Sequence, residues 1–128
     1  MFIRRSWPVV ALLMTAVALQ ADDSAATVTG FEGARTETYK TIGDVNLLIH
    51  IFEPEGHQPT DKTPAIVFFF GGGWKSGLPT QFEQQCRYLA DRGMVAMTAD
   101  YRVSSRQGTQ AKECVQDAKS AVRWIRTH

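Results

Sequence analysis

Cysteine is scarce in this sequence. Only Cys86 and Cys114 occur among 128 residues, and neither stands at metal-ligand spacing from His50, His57 or His128. That excludes the usual sequence-encoded zinc frameworks, so no metal ligand is assigned and no cofactor is expected. An excess of one charge is missing too. With 14 Lys and Arg against 13 Asp and Glu, the formal charge is +1, which supplies neither the basic field that nucleic acid requires nor an acidic tail. Nor is there an apolar run of the ~20 residues that a membrane-spanning helix needs.

The apolar run that does occur lies at the start. Met1 to Arg5 is a short basic stretch, Trp7 to Leu19 is mostly apolar, and small residues frame cleavage points after Ala18 or Ala21. Basic start, short apolar core and small exit residues read as a secretory signal peptide over residues 1–21. The mature chain is then expected to be secreted or periplasmic, with no stable membrane insertion after cleavage. Residues 22–35 are small, polar and Gly-containing, and read as a flexible leader before a folded part over 36–128.

Within that part the pattern changes along the chain. Thr36 to Ile42 and Val45 to Phe52, joined by Gly43-Asp44, read as an antiparallel hairpin in which His50 faces solvent. Glu53 to Pro64 concentrates Pro, Gly and polar residues and reads as a surface loop carrying a solvated His57. Ala65 to Phe70 is continuously apolar, which suits a strand buried on both faces. Thr80 and Glu83 have capping-box spacing for a helix that ends near Arg92-Gly93. Met94 to Tyr101 is a second buried strand. After a polar loop, Thr109 is placed to cap a last helix whose apolar face is Val115, Ala118, Val122 and Ile125. Strand, strand, strand, helix, strand, helix predicts an α/β fold.

Between the third strand and the first helix stands Phe68-Phe69-Phe70-Gly71-Gly72-Gly73-Trp74-Lys75-Ser76-Gly77. A phosphate loop needs Lys directly after its last Gly, but Trp74 intervenes before Lys75. A dinucleotide fingerprint needs a third Gly at position 76, where Ser stands. A third chemistry fits better. Glycines after a buried strand let backbone N–H groups approach the oxygen of a tetrahedral intermediate, as in an oxyanion hole. Lys75 and Ser76 are not read as a catalytic pair, because adjacent residues seldom face each other.

FFGGGW after a buried strand, then RGMVAMTADYR, then CVQDAKSAVRWIRTH, resembles the N-terminal part of an α/β-hydrolase esterase or lipase. The group it is most similar to is the exported esterases related to carbohydrate deacetylases and feruloyl esterases. The resemblance covers residues 36–128 and implies the N-terminal half of an α/β-hydrolase sheet: an antiparallel hairpin plus parallel strands with flanking helices, incomplete as a domain. By that resemblance Phe70 to Gly73 matches the family's HGGG, so Gly72 and Gly73 would offer their N–H groups to the oxyanion and Trp74 would wall the acyl site. Phe70 departs from the pattern, since a phenyl ring cannot make the hydrogen bonds of the usual histidine. Arg102, in the Asp100-Tyr101-Arg102 segment, is expected to pair with Asp117 as a structural tie. The implied substrate is a small-molecule or glycan ester.

The family's G-x-S-x-G nucleophile elbow does not occur in this sequence, and the triad follows that elbow in chain order. No triad residue is therefore assigned, and His128 is not the catalytic histidine. The expectation is a piece of a serine-dependent ester hydrolase, inactive alone. The alternatives are a short non-catalytic binding protein of the same half-fold and the front half of a related serine peptidase. In the family's strand order the Ile66 to Phe70 strand would be an exposed edge without a fifth strand. Crossovers in opposite directions would also set Cys86 and Cys114 on opposite faces of the sheet, which argues against a disulfide.

Overall fold

The computed structural model describes residues 27–128, so the expected signal peptide lies outside the described residues. Strands β1 (Arg35–Ile42), β2 (Val45–Phe52) and β3 (Ala65–Phe69) come first, followed by helix α1 (Glu83–Ala90), strand β4 (Val95–Ala99) and helices α2 (Ser104–Gln107) and α3 (Ala111–Thr127). The sheet order is β1-β2-β4-β3. β1 and β2 form the expected antiparallel hairpin, with a bulge between Thr38 and Lys40. β4 is antiparallel to β2 and parallel to β3. No strand covers the outer edge of β3 among the described residues.

Alternation along the strands divides the core in two. Ile49, Ile51, Met97 and Ala99, with Val67 and Phe69, meet Ala121, Trp124 and Ile125 of α3 on one face. Phe52, Ala96, Ile66 and Phe68 meet Cys86, Leu89 and Ala90 of α1 on the other. The two helices thus lie across the sheet from each other. Cys86 is buried on the inner side of α1, Cys114 packs with Phe70, Tyr101 and Val103, and both are free thiols. Burial, with a smaller contribution from Glu83, pushes the Cys86 thiol up to about 12, so it stays protonated.

Several local expectations are overturned. Thr80 does not cap α1: Pro79–Phe82 wind into a 3-10 turn first, and α1 begins at Glu83. Glu83 is instead the first residue of α1, and its Oε1 accepts from Nε and Nη2 of Arg87, at 3.1 and 2.8 Å. Gln110, not Thr109, caps α3, and Glu113 accepts the Gln110 N–H at 3.0 Å. The buried side of α3 is Cys114, Asp117 and Ala121. Of the expected apolar face, Ile125 packs on the core, whereas Val115 is exposed and Ala118 and Val122 line a groove against Phe69, beside the uncovered edge of β3.

His50 is also misplaced by the alternation rule. It is fully buried, because the chain before β1 folds back over it. Phe31 stands edge-on to the imidazole at 4.8 Å and packs against Phe52. Arg87 Nη2 donates to the Glu32 carbonyl at 2.9 Å. Residues 31–34, expected as flexible leader, are anchored by these contacts. Nδ1 of His50 shares a hydrogen bond with Thr36 Oγ1 (3.0 Å), and Nε2 has no partner.

Burial lowers the pKa of His50, with Asp100 opposing. The folded chain therefore holds the ring neutral, while the unfolded chain takes up a proton as pH falls through ~6.5. Stability should decline with falling pH from that point down to the folded pKa. In His50→Gln this slope should vanish from the urea midpoint measured between pH 7.5 and 5.5. An unchanged slope would sink the assignment.

Candidate active-site loop

Phe69, the last residue of β3, and Phe70 after it carry the chain into the glycines. Phe69 sits in the α3-side core, and Phe70 is buried against Tyr101 with its ring stacked at 4.1 Å. A phenyl ring at position 70 thus keeps its place by stacking. The Tyr101 hydroxyl donates to the Phe70 carbonyl in a short hydrogen bond. Burial raises the Tyr101 pKa, so that hydroxyl keeps its proton.

The glycine loop can be followed one peptide plane at a time. The Phe70 carbonyl and the Gly71 N–H belong to one planar unit. Tyr101 holds its oxygen, and Gln81 Oε1 accepts its N–H at 2.7 Å, so that plane is clamped at both ends. The Gly72 carbonyl shares a plane with the Gly73 N–H. It accepts from Lys75 N at 3.1 Å and from Ser76 N at 3.4 Å. In a trans peptide the N–H points opposite to the carbonyl, so these bonds turn the Gly73 N–H outward. Among the described residues neither the Gly72 nor the Gly73 N–H donates to a protein acceptor.

Glycine is required here for two different reasons. Gly72 has φ 148°, and a Cβ on it would meet the Ser76 carbonyl oxygen at 1.9 Å. Gly77 has φ 118°, and its Cβ would strike the Gly71 carbonyl and the Phe70 ring, each at 2.5 Å. Trp74, with φ 63°, is the one non-glycine residue with positive φ among the described residues. Such strain persists where the surroundings fix it and clusters at functional sites. The Trp74 side chain, next in sequence to the glycines, is half exposed. Lys75 and Ser76 are exposed and make no side-chain hydrogen bond to each other.

The loop after β4 supports this turn from behind. Ser104 N and Ser105 N, the first amides of α2, donate to the Trp74 and Lys75 carbonyls at 3.0 and 2.9 Å. Arg102 pairs with Asp117 through Nε (2.8 Å), Nη2 (3.0 Å) and its backbone N–H (3.2 Å). Lys40 Nζ adds a fourth bond to Asp117 at 2.7 Å. Burial alone would raise the pKa of this carboxyl, but hydrogen bonds from Arg102 and then Lys40 outweigh it and lower it. The Lys40 tie was not foreseen, because nothing local in the sequence links residues on β1 and α3. Asp100 and Arg106 form a second buried pair at 2.7 Å, also unforeseen.

A cleft of about 890 Å³ opens elsewhere. It touches Ala65 and Val95, the first residues of β3 and β4, at the end of the sheet away from the glycines. Arg35, Glu53, His57, Trp124 and His128 line it, and no Ser or Cys does. The glycine loop, by contrast, is exposed at the opposite end of β3.

Comparison with known proteins places the chain by family and fold. The BD-FAE family model matches residues 49–128. Esterase Est2 of Thermogutta terrifontis, a Planctomycetes species, is 55% identical, with a TM-score of 0.74 over 76% of this chain and 35% of its own. The same esterase has been solved with propionate and with butyrate bound. Probable carboxylesterase 8 of Arabidopsis thaliana is 32% identical over 84 residues, 63% of this chain and 25% of that protein. Neuroligin-like protein glit-1 of Caenorhabditis elegans is 37% identical over 60 residues, 46% of this chain and 8% of that protein. The chain thus spans about a third of the matched esterase structure and a quarter of the curated carboxylesterase. The four-stranded mixed sheet and its flanking helices are the corresponding part of an α/β-hydrolase fold.

Proposed function

This chain belongs to the BD-FAE family, and from that premise we propose that residues 71–74 are the oxyanion loop of a serine-dependent carboxylic ester hydrolase. One observation carries the reading: the Gly72 carbonyl is held by Lys75 N, and among the described residues the Gly72 and Gly73 N–H groups have no protein acceptor. When a serine attacks an ester, the carbonyl oxygen becomes an oxyanion in the tetrahedral intermediate. Two fixed N–H groups stabilise that charge without reorganising at the moment of reaction. Trp74, next to them in sequence, walls the acyl group. The bound propionate and butyrate of the Thermogutta esterase support a short acyl chain. Export through the residue 1–21 signal would place the reaction outside the cytoplasm, where glycan esters are accessible.

The nucleophile and the rest of the triad are not assigned to any residue of this sequence, which has no G-x-S-x-G. The 128-residue chain is accordingly expected to hydrolyse p-nitrophenyl butyrate no faster than buffer. A chain that continues past residue 128 into a G-x-S-x-G segment should hydrolyse it with burst kinetics. The reading fails if the 128-residue chain turns over ester by itself, or if the longer chain is folded and inert.

A further inference from the structure

We propose that Arg106, locked by Asp100, is a positioning residue that sets the orientation of the glycine loop; its catalytic consequence rests on the oxyanion reading above. Arg106 lies on α2, outside every motif used so far. Its Nη1 and Nη2 donate to Asp100 Oδ2 and Oδ1 at 2.9 and 2.7 Å, and both side chains are 5% exposed or less. Nη2 also donates to the Tyr101 carbonyl at 3.2 Å and reaches the Gly77 carbonyl at 3.4 Å. The guanidinium carbon stands 5.9 Å from the centroid of the Phe70 ring. Arg106 thus touches both borders of the loop, Phe70 before the glycines and Gly77 after them.

The lever is α2 itself. Fixing Arg106 fixes the short helix whose first two amides hold the Trp74 and Lys75 carbonyls. The Lys75 N–H in turn holds the Gly72 carbonyl, which aims the Gly73 N–H. At position 70 the loop has no histidine to hydrogen-bond it from within, and Arg106 supplies polar ties from the opposite side. A buried ion pair is a poor source of net stability compared with an apolar pair of the same volume, but its directional bonds fix one arrangement. That is the property an oxyanion loop needs.

Amide hydrogen exchange on the 128-residue chain tests this. In Arg106→Met, the Lys75, Ser104 and Ser105 amides should exchange at least about ten-fold faster, while the His50 and Thr98 amides in the sheet keep their rates. Arg106→Lys should recover part of the protection, since one ammonium can satisfy Asp100 without spanning to Tyr101 and Gly77. Equal acceleration throughout the sheet, or no change at the three loop amides, overturns the proposal. Should Arg106→Met not fold, Arg106→Lys and Asp100→Asn are judged by the same local-against-sheet comparison. In a chain extended to the nucleophile, kcat should fall about ten-fold in Arg106→Met with KM unchanged. Local loosening with kcat unaffected upholds the positioning role and counts against the oxyanion reading instead.

Discussion

Gly72→Ala is expected to destabilise the chain by about 2–4 kcal/mol and to collapse the turn that presents the two amides. Two independent costs combine there. At φ 148° the backbone occupies a region that L side chains rarely adopt, and the added Cβ would sit 1.9 Å from the Ser76 carbonyl oxygen. That oxygen is backbone, so no flexible side chain can swing aside. Relief requires residues 72–76 to move, which breaks the Lys75-to-Gly72 bond and releases the Gly73 N–H. Gly73→Ala is the control. Its φ of 61° is left-handed, but a Cβ there meets nothing within 4 Å, so its cost should be near 1 kcal/mol. Urea midpoints of the two variants should differ clearly, and equal midpoints would refute the close-packing account. In an extended chain with its nucleophile, Gly72→Ala should also lose at least the 10²–10³-fold typical of one missing oxyanion donor.

Asp117→Ala should cost about 3–5 kcal/mol, the usual penalty for breaking a buried ion pair by removing one partner. Asp117 is fully buried and receives three hydrogen bonds from Arg102 and one from Lys40. Truncation strands two cations at the junction of β1, α3 and the segment after β4. Asp117→Asn keeps the shape and loses the charge, so an intermediate loss is expected.

The same carboxylate gives an acid limb to stability. Its folded pKa lies below the ordinary carboxylate value despite burial, because Arg102 and Lys40 hold the charged form. The contribution is therefore complete above about pH 4 and is lost as pH falls from there through the folded pKa. Urea unfolding should show this limb in the parent chain and a weaker one in Asp117→Asn. A loss in Asp117→Ala below about 1 kcal/mol would mean that the pair contributes no more than an exposed one.

Much of the fold could be read from local pattern. Val45–Phe52 appears as a strand with the bounds that its alternation gives, and the unbroken apolar run from Ala65 becomes a parallel strand. Capping was read less well. A 3-10 turn over Pro79–Phe82 displaces the start of the first helix, and the capping box of the last helix falls on Gln110 and Glu113 instead of Thr109, so spacing alone could not decide which residue begins a helix. His50 was misread because alternation assigns residues to a face of the sheet but cannot tell whether a distant segment covers that face. Here Phe31 does.

What the sequence determined by itself was the order of elements, the glycine turn after an apolar strand and the absence of a nucleophile elbow. Those are properties of contiguous residues, set by hydrophobic period, backbone freedom and motif spacing. The expected burial of that strand on both faces is not met, since β3 is an edge strand and only partly buried. Only the tertiary structure decided which peptide planes are clamped and which amides remain free. It alone brought Lys40 and Arg102 to one carboxylate and set Arg106 behind the loop. Those contacts join residues up to 77 positions apart, and hydrogen-bond direction across such distances depends on how sheet and helices pack, which no local pattern encodes.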